Sequence, residues 1–318
     1  MARVTQPVRI GVDVSKHTLE ISHEQTAEVI RLENTPEAIG SWLADLPSQP
    51  ILIAMEPTNT FHLDLLQAAH RAGHTIYLID GYRLNRYRDS IGQRAKTDAN
   101  DARLLLRYLQ REQDDLRPWT PPPKGYVQLQ RLLRRRARLV QARTALRQSL
   151  SAVPDLKQAS QALFAQLDQL ERLLVAQLTE LMREVGWSDD QRRCQAIEGV
   201  GPLSAIALAT TYHRGAFSGS DAFVAFIGLD VRVRDSGRMR GQRKLTKKGD
   251  PEIRRLLYLA AMTACRSPTW RPAYERMRAR GFASTQALVA LARKLARIAF
   301  ALLKNQSEYQ PKEPCAST

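Results

Sequence analysis

The stretch VRIGVDVS, residues 8–15, predicts a buried β-strand in which one acid, Asp13, lies among apolar residues. A lone carboxylate inside an apolar strand costs free energy unless it has a partner. TLEISHE and AEVIRLE follow with period-two alternation, which predicts an antiparallel meander with the first strand. ILIAME (51–56) and TIYLID (75–80) are two further apolar runs that predict core strands.

Helical patterns account for most of the remaining sequence up to residue 116, at about 35–46, 60–72, 82–92 and 98–112. The resulting order β-β-β-α-β-α-β-α predicts that residues 1–116 form an α/β domain with a mixed sheet and helices. Residues 117–123 contain four prolines, which predicts a stiff linker.

Beyond the linker the pattern is mainly helical. Residues 124–186 predict two long amphipathic helices that form a basic helical hairpin or a coiled-coil arm. Residues 187–308 predict a mainly α domain with a helix-hairpin-helix-like unit and a loop rich in Gly and Arg at 228–249. Residues 309–318 predict a flexible tail.

The charge is distributed unevenly along the chain. It carries 48 Lys+Arg against 32 Asp+Glu, a net charge of +16. Residues 1–116 hold 13 basic and 16 acidic side chains, whereas residues 117–318 hold 35 and 16. A cationic second half implies a polyanionic partner, with nucleic acid favoured over an anionic membrane surface.

Several other classes of protein do not fit the sequence. The N-terminus lacks the apolar stretch of a signal peptide, and no run approaches ~20 apolar residues. The three cysteines are far apart, without the spacing of a zinc site or a disulfide framework. We therefore expect a cytoplasmic protein of bacterial type that does not enter a membrane.

Four acids are candidates for chemistry. Asp13 lies in one apolar strand and Glu56 at the end of another, while Asp98 and Asp101 are three residues apart at a helix start. Hard cations need oxygen ligands, so the set predicts a site for one or two Mg²⁺ ions. The alternative for the helical pair is structural, with Asp98 as the N-cap and Asp101 as its capping-box partner.

The second candidate is Ser236, in a segment (232–255) with ten Lys/Arg against three acids. Ser-Gly is a common turn dipeptide, and an arginine cluster is a common phosphate-binding surface. A hydroxyl among guanidinium groups is also suited to nucleophilic attack on a phosphodiester, and the residues alone leave both interpretations open. The basic residues that we predict to bind nucleic acid are Arg134, Arg135, Arg136, Arg138, Arg232, Arg234, Arg238, Arg240, Arg243, Lys247 and Lys248.

Six motifs occur in order: GVDVSKHTLEI, AMEPTNTF, AKTDANDARLL, IEGVGPLSA, FIGLDVRVRDSG and KLTKKGDPEIRRLLYLAA. Together they resemble insertion-sequence transposases that join an N-terminal RuvC-like DEDD domain to a C-terminal domain with a catalytic serine. This group comprises bridge-RNA-guided recombinases and also includes Piv-type DNA invertases. The chain departs from the family in a short loop after Ser236 and in having Thr246 where the family often has Ser.

The resemblance implies a RuvC/RNase H-like fold for residues 1–116 and a serine-bearing transposase domain at 187–308. It assigns metal binding to Asp13, Glu56, Asp98 and Asp101, with Mg²⁺ as the cofactor and Mn²⁺ as a substitute. It assigns the nucleophile to Ser236, which would form a covalent phosphoserine with DNA. It also implies a structured noncoding guide RNA, self-association as a dimer or tetramer with a composite site, and a place in the bacterial nucleoid.

Other functions remain open at this point. A RuvC-like nuclease using metal-activated water needs the four acids but not Ser236, and a site-specific invertase needs no guide RNA. An actin-like ATPase or sugar kinase is disfavoured, because the sequence offers no second Gly-rich phosphate loop and is strongly basic. An architectural nucleic-acid-binding protein would use the acids only structurally and would tolerate Asp13→Asn.

Overall fold

The computed structural model describes residues 7–93, 97–153, 155–236 and 239–311, with the side chains of 233–243 outside the description. The chain divides into two compact units, Met1–Pro121 and Pro122–Thr318. The division lies within the proline-rich stretch at 117–123.

The first unit contains a five-stranded mixed sheet in the order β3-β2-β1-β4-β5. The first three strands form the expected antiparallel meander, and β1, β4 and β5 are parallel to each other. The carboxyl ends of β1, β4 and β5 therefore meet at one edge of the sheet. The strands are β1 (Val8–Val14), β2 (Thr18–His23), β3 (Val29–Glu33), β4 (Ile51–Met55) and β5 (Thr75–Leu78).

Helices cover both faces of this sheet, as its two separate apolar cores show. One core joins β1 to α1 and α2, and the other joins β4 and β5 to α3 and α4. The helices are α1 (Pro36–Ala44), α2 (Leu63–Arg71), α3 (Gly81–Ser90) and α4 (Asp98–Glu112), followed by a 3₁₀ turn at Gln113–Asp115. The prediction of an N-terminal mixed sheet with helices is confirmed.

The second unit begins with two long helices, α5 (Tyr126–Leu150) and α6 (Leu156–Glu184). They pack antiparallel, because Arg136 pairs with Glu171 while the Arg147 guanidinium lies 5.2 Å from the centroid of the Phe164 ring. Among the described residues, neither these nor any other helix is long and apolar enough to cross a membrane.

The rest of the second unit is helix-rich, as predicted, with one correction. The segment predicted as a loop at 228–249 contains a two-stranded antiparallel sheet, β6 (Val231–Ser236) and β7 (Met239–Leu245). The alternating Val231-Arg-Val233-Arg pattern favours an extended strand, a signal that the abundance of Gly and Arg obscured. The helices are α7 (Ser188–Gln195), α8 (Pro202–Tyr212), α9 (Ser220–Ile227), α10 (Pro251–Ala264), α11 (Arg271–Ala279) and α12 (Ser284–Asn305).

Candidate active site

Asp13 lies near the carboxyl end of β1, half-buried between the buried residues Val12 and Val14. Alternation along the strand places Asp13 on the same face as Gly11, which packs against α4. A Cβ atom added at Gly11 would lie 2.3 Å from the carbonyl oxygen of Ala102. This close approach brings the start of α4 toward the strand that carries Asp13.

Glu56 follows the last residue of β4, and the register pairs Val12 of β1 with Met55 of β4. Asp13 and Glu56 are therefore each one residue beyond a paired position on neighbouring parallel strands. The Glu56 carboxylate lies against the first residue of α3, since a Cβ atom at Gly81 would be 2.2 Å from Glu56 Oε1. Only glycine fits at this position without displacing the carboxylate.

Asp98 and Asp101 occupy the first turn of α4, but neither has the capping role considered above. The N-cap is Thr97, whose hydroxyl accepts a hydrogen bond from the backbone N–H of Asn100. Asp98 is the first residue of the helix, where a negative charge interacts favourably with the helix dipole.

Asp101 is buried and forms an ion pair with Arg88 of α3. Arg88 Nη2 donates to Asp101 Oδ1 at 2.7 Å, and its Nη1 donates to Asn85 Oδ1 at 2.6 Å. Both Arg88 and Asp101 are 8% exposed. The sequence motifs did not single out Arg88. Its position four residues after the buried Leu84 places it on the inward face of α3, where a buried arginine requires an acid.

Three of the carboxylates act electrostatically on the fourth, Asp13. Burial, which is the largest cause, and the negative charges of Asp101, Asp98 and Glu56, in that order, together raise the pKa of the Asp13 carboxyl from 3.8 to about 6, while a hydrogen bond from the backbone of Val14 lowers it. Such an environment favours a bound cation or proton over four free anions.

The donor set fits a hard divalent cation, because all four side chains offer carboxylate oxygens, from Asp101, which is buried, through the half-buried Asp13 and Glu56 to the exposed Asp98. Their arrangement is nevertheless not that of an assembled site. Within the described ranges, no three His, Cys, Asp or Glu side chains are grouped closely enough to hold one metal ion. The pairing of Asp101 with Arg88 engages one of the four potential ligands.

Ser236 is the last residue of β6, and its Cα pairs with Met239 across the hairpin. Its hydroxyl, and the predicted nucleic-acid contacts Arg234, Arg240 and Arg243, belong to side chains outside the described part, and Arg238 lies outside it entirely. Arg232, Lys247 and Lys248 are exposed.

The base of this hairpin is described and is closely held. The backbone N–H of Thr246 donates to the carbonyl of Asp230 at 3.0 Å, and the Thr246 hydroxyl donates to the Asp230 carboxylate. Arg254 Nη1 donates to the carbonyls of Ile227 (3.2 Å) and Gly249 (2.8 Å), joining the segments before β6 and after β7. These bonds fix the base of the hairpin, and Ser236 lies at its opposite end.

The predicted arginine cluster of α5 divides into two classes. Arg136 pairs with Glu171 and is largely buried, and Arg134 donates to Asp250 at 2.8 Å. Arg135 and Arg138 are exposed, and Arg131, which the prediction omitted, is exposed on the same face at i, i+4, i+7 spacing.

Comparison with known families gives two matches along the chain. The transposase family DEDD_Tnp_IS110 matches residues 10–182, which include all four acids. A second family, "Transposase IS116/IS110/IS902 family", matches residues 191–275, which include Ser236.

Individual relatives agree with these matches. The chain is 25% identical to the "Pilin gene-inverting protein" of Moraxella bovis over 94% of this chain and 97% of that protein. It is 27% identical to a "Probable family 20 transposase" of Pseudomonas aeruginosa over 95% of this chain and 98% of that protein. A shorter match, 36% identical, covers 32% of this chain and 26% of an IS900 protein of Mycobacterium paratuberculosis described as uncharacterized.

Proposed function

The chain belongs to the DEDD_Tnp_IS110 family of transposases, and from that premise we propose that it cuts and rejoins DNA through a covalent phosphoserine at Ser236. The observation that supports the proposal is that the negative charges of Glu56, Asp98 and Asp101 act on the half-buried carboxyl of Asp13. A perturbed acid near the carboxyl end of a parallel strand, with other acids close to it, is typical of a catalytic site rather than of a structural one.

In the proposed reaction, the Ser236 Oγ atom attacks a DNA phosphorus and displaces the 3′ oxygen. The bond from Oγ to phosphorus forms, the bond from phosphorus to O3′ breaks, and the serine proton leaves while the released oxygen is protonated to a 3′-OH. Attack by a 3′-OH on the phosphoserine reverses these steps and joins a new pair of strands. The anchored base of the hairpin sets the direction in which the strand that ends at Ser236 extends.

Asp13, Glu56, Asp98 and Asp101 would hold Mg²⁺, or Mn²⁺ in its place. A bound divalent ion supplies Lewis-acid stabilisation of the charge that develops on the phosphoryl and leaving oxygens. The residues of the chain supply the anionic oxygens, and Arg88 neutralises one of them when no cation is bound.

The test is recombination in cells that carry the gene on its native flanking DNA. We expect PCR to detect a new DNA junction with the wild type, and none with Ser236→Ala or Asp13→Asn. Ser160→Ala, which removes an exposed hydroxyl on α6, is the matched control and should behave as the wild type. A junction that survives Ser236→Ala would refute the phosphoserine step and favour a nuclease that uses metal-activated water.

We also propose that DNA and a structured guide RNA bind the exposed arginines of α5. Arg131, Arg135 and Arg138 form one exposed row. Each phosphate contact contributes about 0.9 to the slope of log affinity against log salt on duplex DNA. Replacing all three by Gln should lower that slope by about 2 to 3, whereas Arg136→Gln should affect stability instead. Sequencing of RNA that copurifies with the wild-type protein tests for the guide.

A second copy of the chain is the partner that we propose for the outer face of α6. Leu156, Leu163, Leu170 and Leu173 are 42–55% exposed there. The first three repeat every seven residues, which is typical of a coiled-coil seam. Leu163→Glu combined with Leu170→Glu should reduce the mass measured by light scattering to that of a monomer, and Ala165→Glu on another exposed face should not. An unchanged mass would refute this interface.

A further inference from the structure

Helix α3 lies against the carboxylates at two points. Its first residue, Gly81, abuts the Glu56 carboxylate, and Arg88 near its end pairs with Asp101. The seven-residue separation corresponds to about 10 Å of helix, so α3 extends along the cluster and its outer face is fixed relative to it.

The outer face of α3 exposes an aromatic side chain and cations next to one another. Tyr82 is 53% exposed, and Arg83 and Arg86 are exposed beside it. Arg86 Nη2 donates to the Tyr82 hydroxyl at 2.8 Å, and its guanidinium carbon lies 5.1 Å from the centroid of the Tyr82 ring. The cation thus holds the ring in one orientation.

The packing of α3 depends on its other face. Leu84 is buried, and the Tyr87 ring contacts the Tyr108 ring edge-to-face with centroids 4.9 Å apart. An aromatic side chain left half in water is a common means of binding a nucleobase, because every base has a face that can stack.

Binding of DNA near the acids requires positive charge close by. Residues 1–116 carry more acidic than basic side chains, and the four carboxylates repel a DNA backbone. Arg83 and Arg86 place positive charge on the outer face of α3, the helix whose other face abuts Glu56 and pairs with Asp101.

We propose that Tyr82 and Arg86 form a nucleotide-binding platform for a single DNA strand at the edge of the carboxylate cluster. The base stacks on the Tyr82 ring, and Arg86 contacts the adjoining phosphate. This inference rests on the proposed function only in taking DNA as the substrate, and it names a strand contact that is independent of Ser236.

The direct test is photocrosslinking of the full-length protein to single-stranded DNA that contains 5-iododeoxyuridine. We expect mass spectrometry to find crosslinked DNA on the peptide that includes Tyr82, and to lose it with Tyr82→Ala. Absence of a crosslink on that peptide in the wild type would overturn the proposal, whatever other peptides are labelled.

Affinity measurements separate stacking from a merely structural role. Tyr82→Ala should weaken binding of a fluorescent single strand by about 5- to 100-fold, while Tyr82→Phe should bind as the wild type. A strand of abasic sites should bind wild type and Tyr82→Ala equally. Phe282→Ala, which removes an exposed ring in the other unit, is the matched control. Equal loss on intact and abasic strands, or no loss with Tyr82→Ala, would refute base stacking.

These outcomes are distinguishable from failure of the proposed function. A crosslink at Tyr82 without a Ser236-dependent junction would retain the strand contact and refute the phosphoserine reaction. A Ser236-dependent junction without that crosslink would refute only the platform.

Discussion

Gly11→Ala tests whether the close approach of β1 and α4 is what brings Asp98 and Asp101 near Asp13. The added Cβ would lie 2.3 Å from Ala102 O, 2.4 Å from Leu106 N and 3.0 Å from Leu106 Cα. All three are backbone atoms, so no side-chain rotation relieves the clash. The start of α4, which carries Asp98 and Asp101, must move away from the strand that carries Asp13.

The size of that movement follows from the distances. An ordinary contact for a Cβ atom begins at 3.4 Å, so the helix must retreat by about 1 Å. Overpacking of this kind costs about 1–3 kcal/mol of unfolding free energy. A misplacement of about 1 Å in a catalytic group can lower a rate by about 100-fold. We therefore expect a moderate loss of stability and a much larger loss of recombination.

The assays are chemical denaturation for the free energy of unfolding and quantitative PCR for junction formation. Gly40→Ala is the matched control, because Gly40 lies in α1 with open space around its Cβ position. That variant should gain up to about 1 kcal/mol, the difference between Gly and Ala in a helix, and should recombine normally. A Gly11→Ala protein that is as stable and as active as the wild type would refute the reasoning.

Three further predictions concern single contacts. Asp13→Asn should raise the unfolding free energy at pH 7–8 by about 1–2 kcal/mol, a figure that discounts the pKa shift for solvent screening. Because the folded-state pKa of Asp13 is raised from 3.8 to about 6, this gain in stability should vanish as the pH falls through 6 toward 3.8. A gain that does not change with pH would contradict the raised pKa. Arg88→Met should lower the unfolding free energy by about 3–5 kcal/mol, since it leaves the buried carboxylate of Asp101 unpaired. Mn²⁺ should raise the melting temperature of this variant more than that of the wild type. An equal rise in both proteins would show that Arg88 does not compete with a cation. Thr246→Val should increase hydrogen exchange in residues 231–245 while the rest of the second unit stays protected, and unchanged exchange would show that the Thr246–Asp230 bond does not hold the hairpin.

The sequence was sufficient to predict the order of strands and helices in the first unit, because each strand is either an apolar run or an alternating segment and is followed by a turn or a helix. It was not sufficient for the β6–β7 hairpin, where valines alternate with arginines in a segment that composition alone assigns to a loop. It indicated the four acids through their residue types and positions. It did not indicate Arg88 or Tyr82, because their roles depend on which face of α3 meets the sheet, and that is decided by packing across distant parts of the chain.

The arrangement of the acids depends on two glycines, Gly11 and Gly81, as much as on the acids themselves. Gly11 lets α4 approach β1, and Gly81 lets α3 begin against Glu56. Since the two helices carry Asp98, Asp101 and Arg88, these two glycines decide the distances between charges supplied by separate elements. A larger residue at Gly11 would move the backbone of α4 away from Asp13, and one at Gly81 would displace the Glu56 carboxylate, although every acid would remain in the sequence. The spacing of the acids therefore depends on the backbone contact at Gly11 and on the room for a carboxylate at Gly81, so that mutation of these glycines tests the arrangement as directly as mutation of the acids.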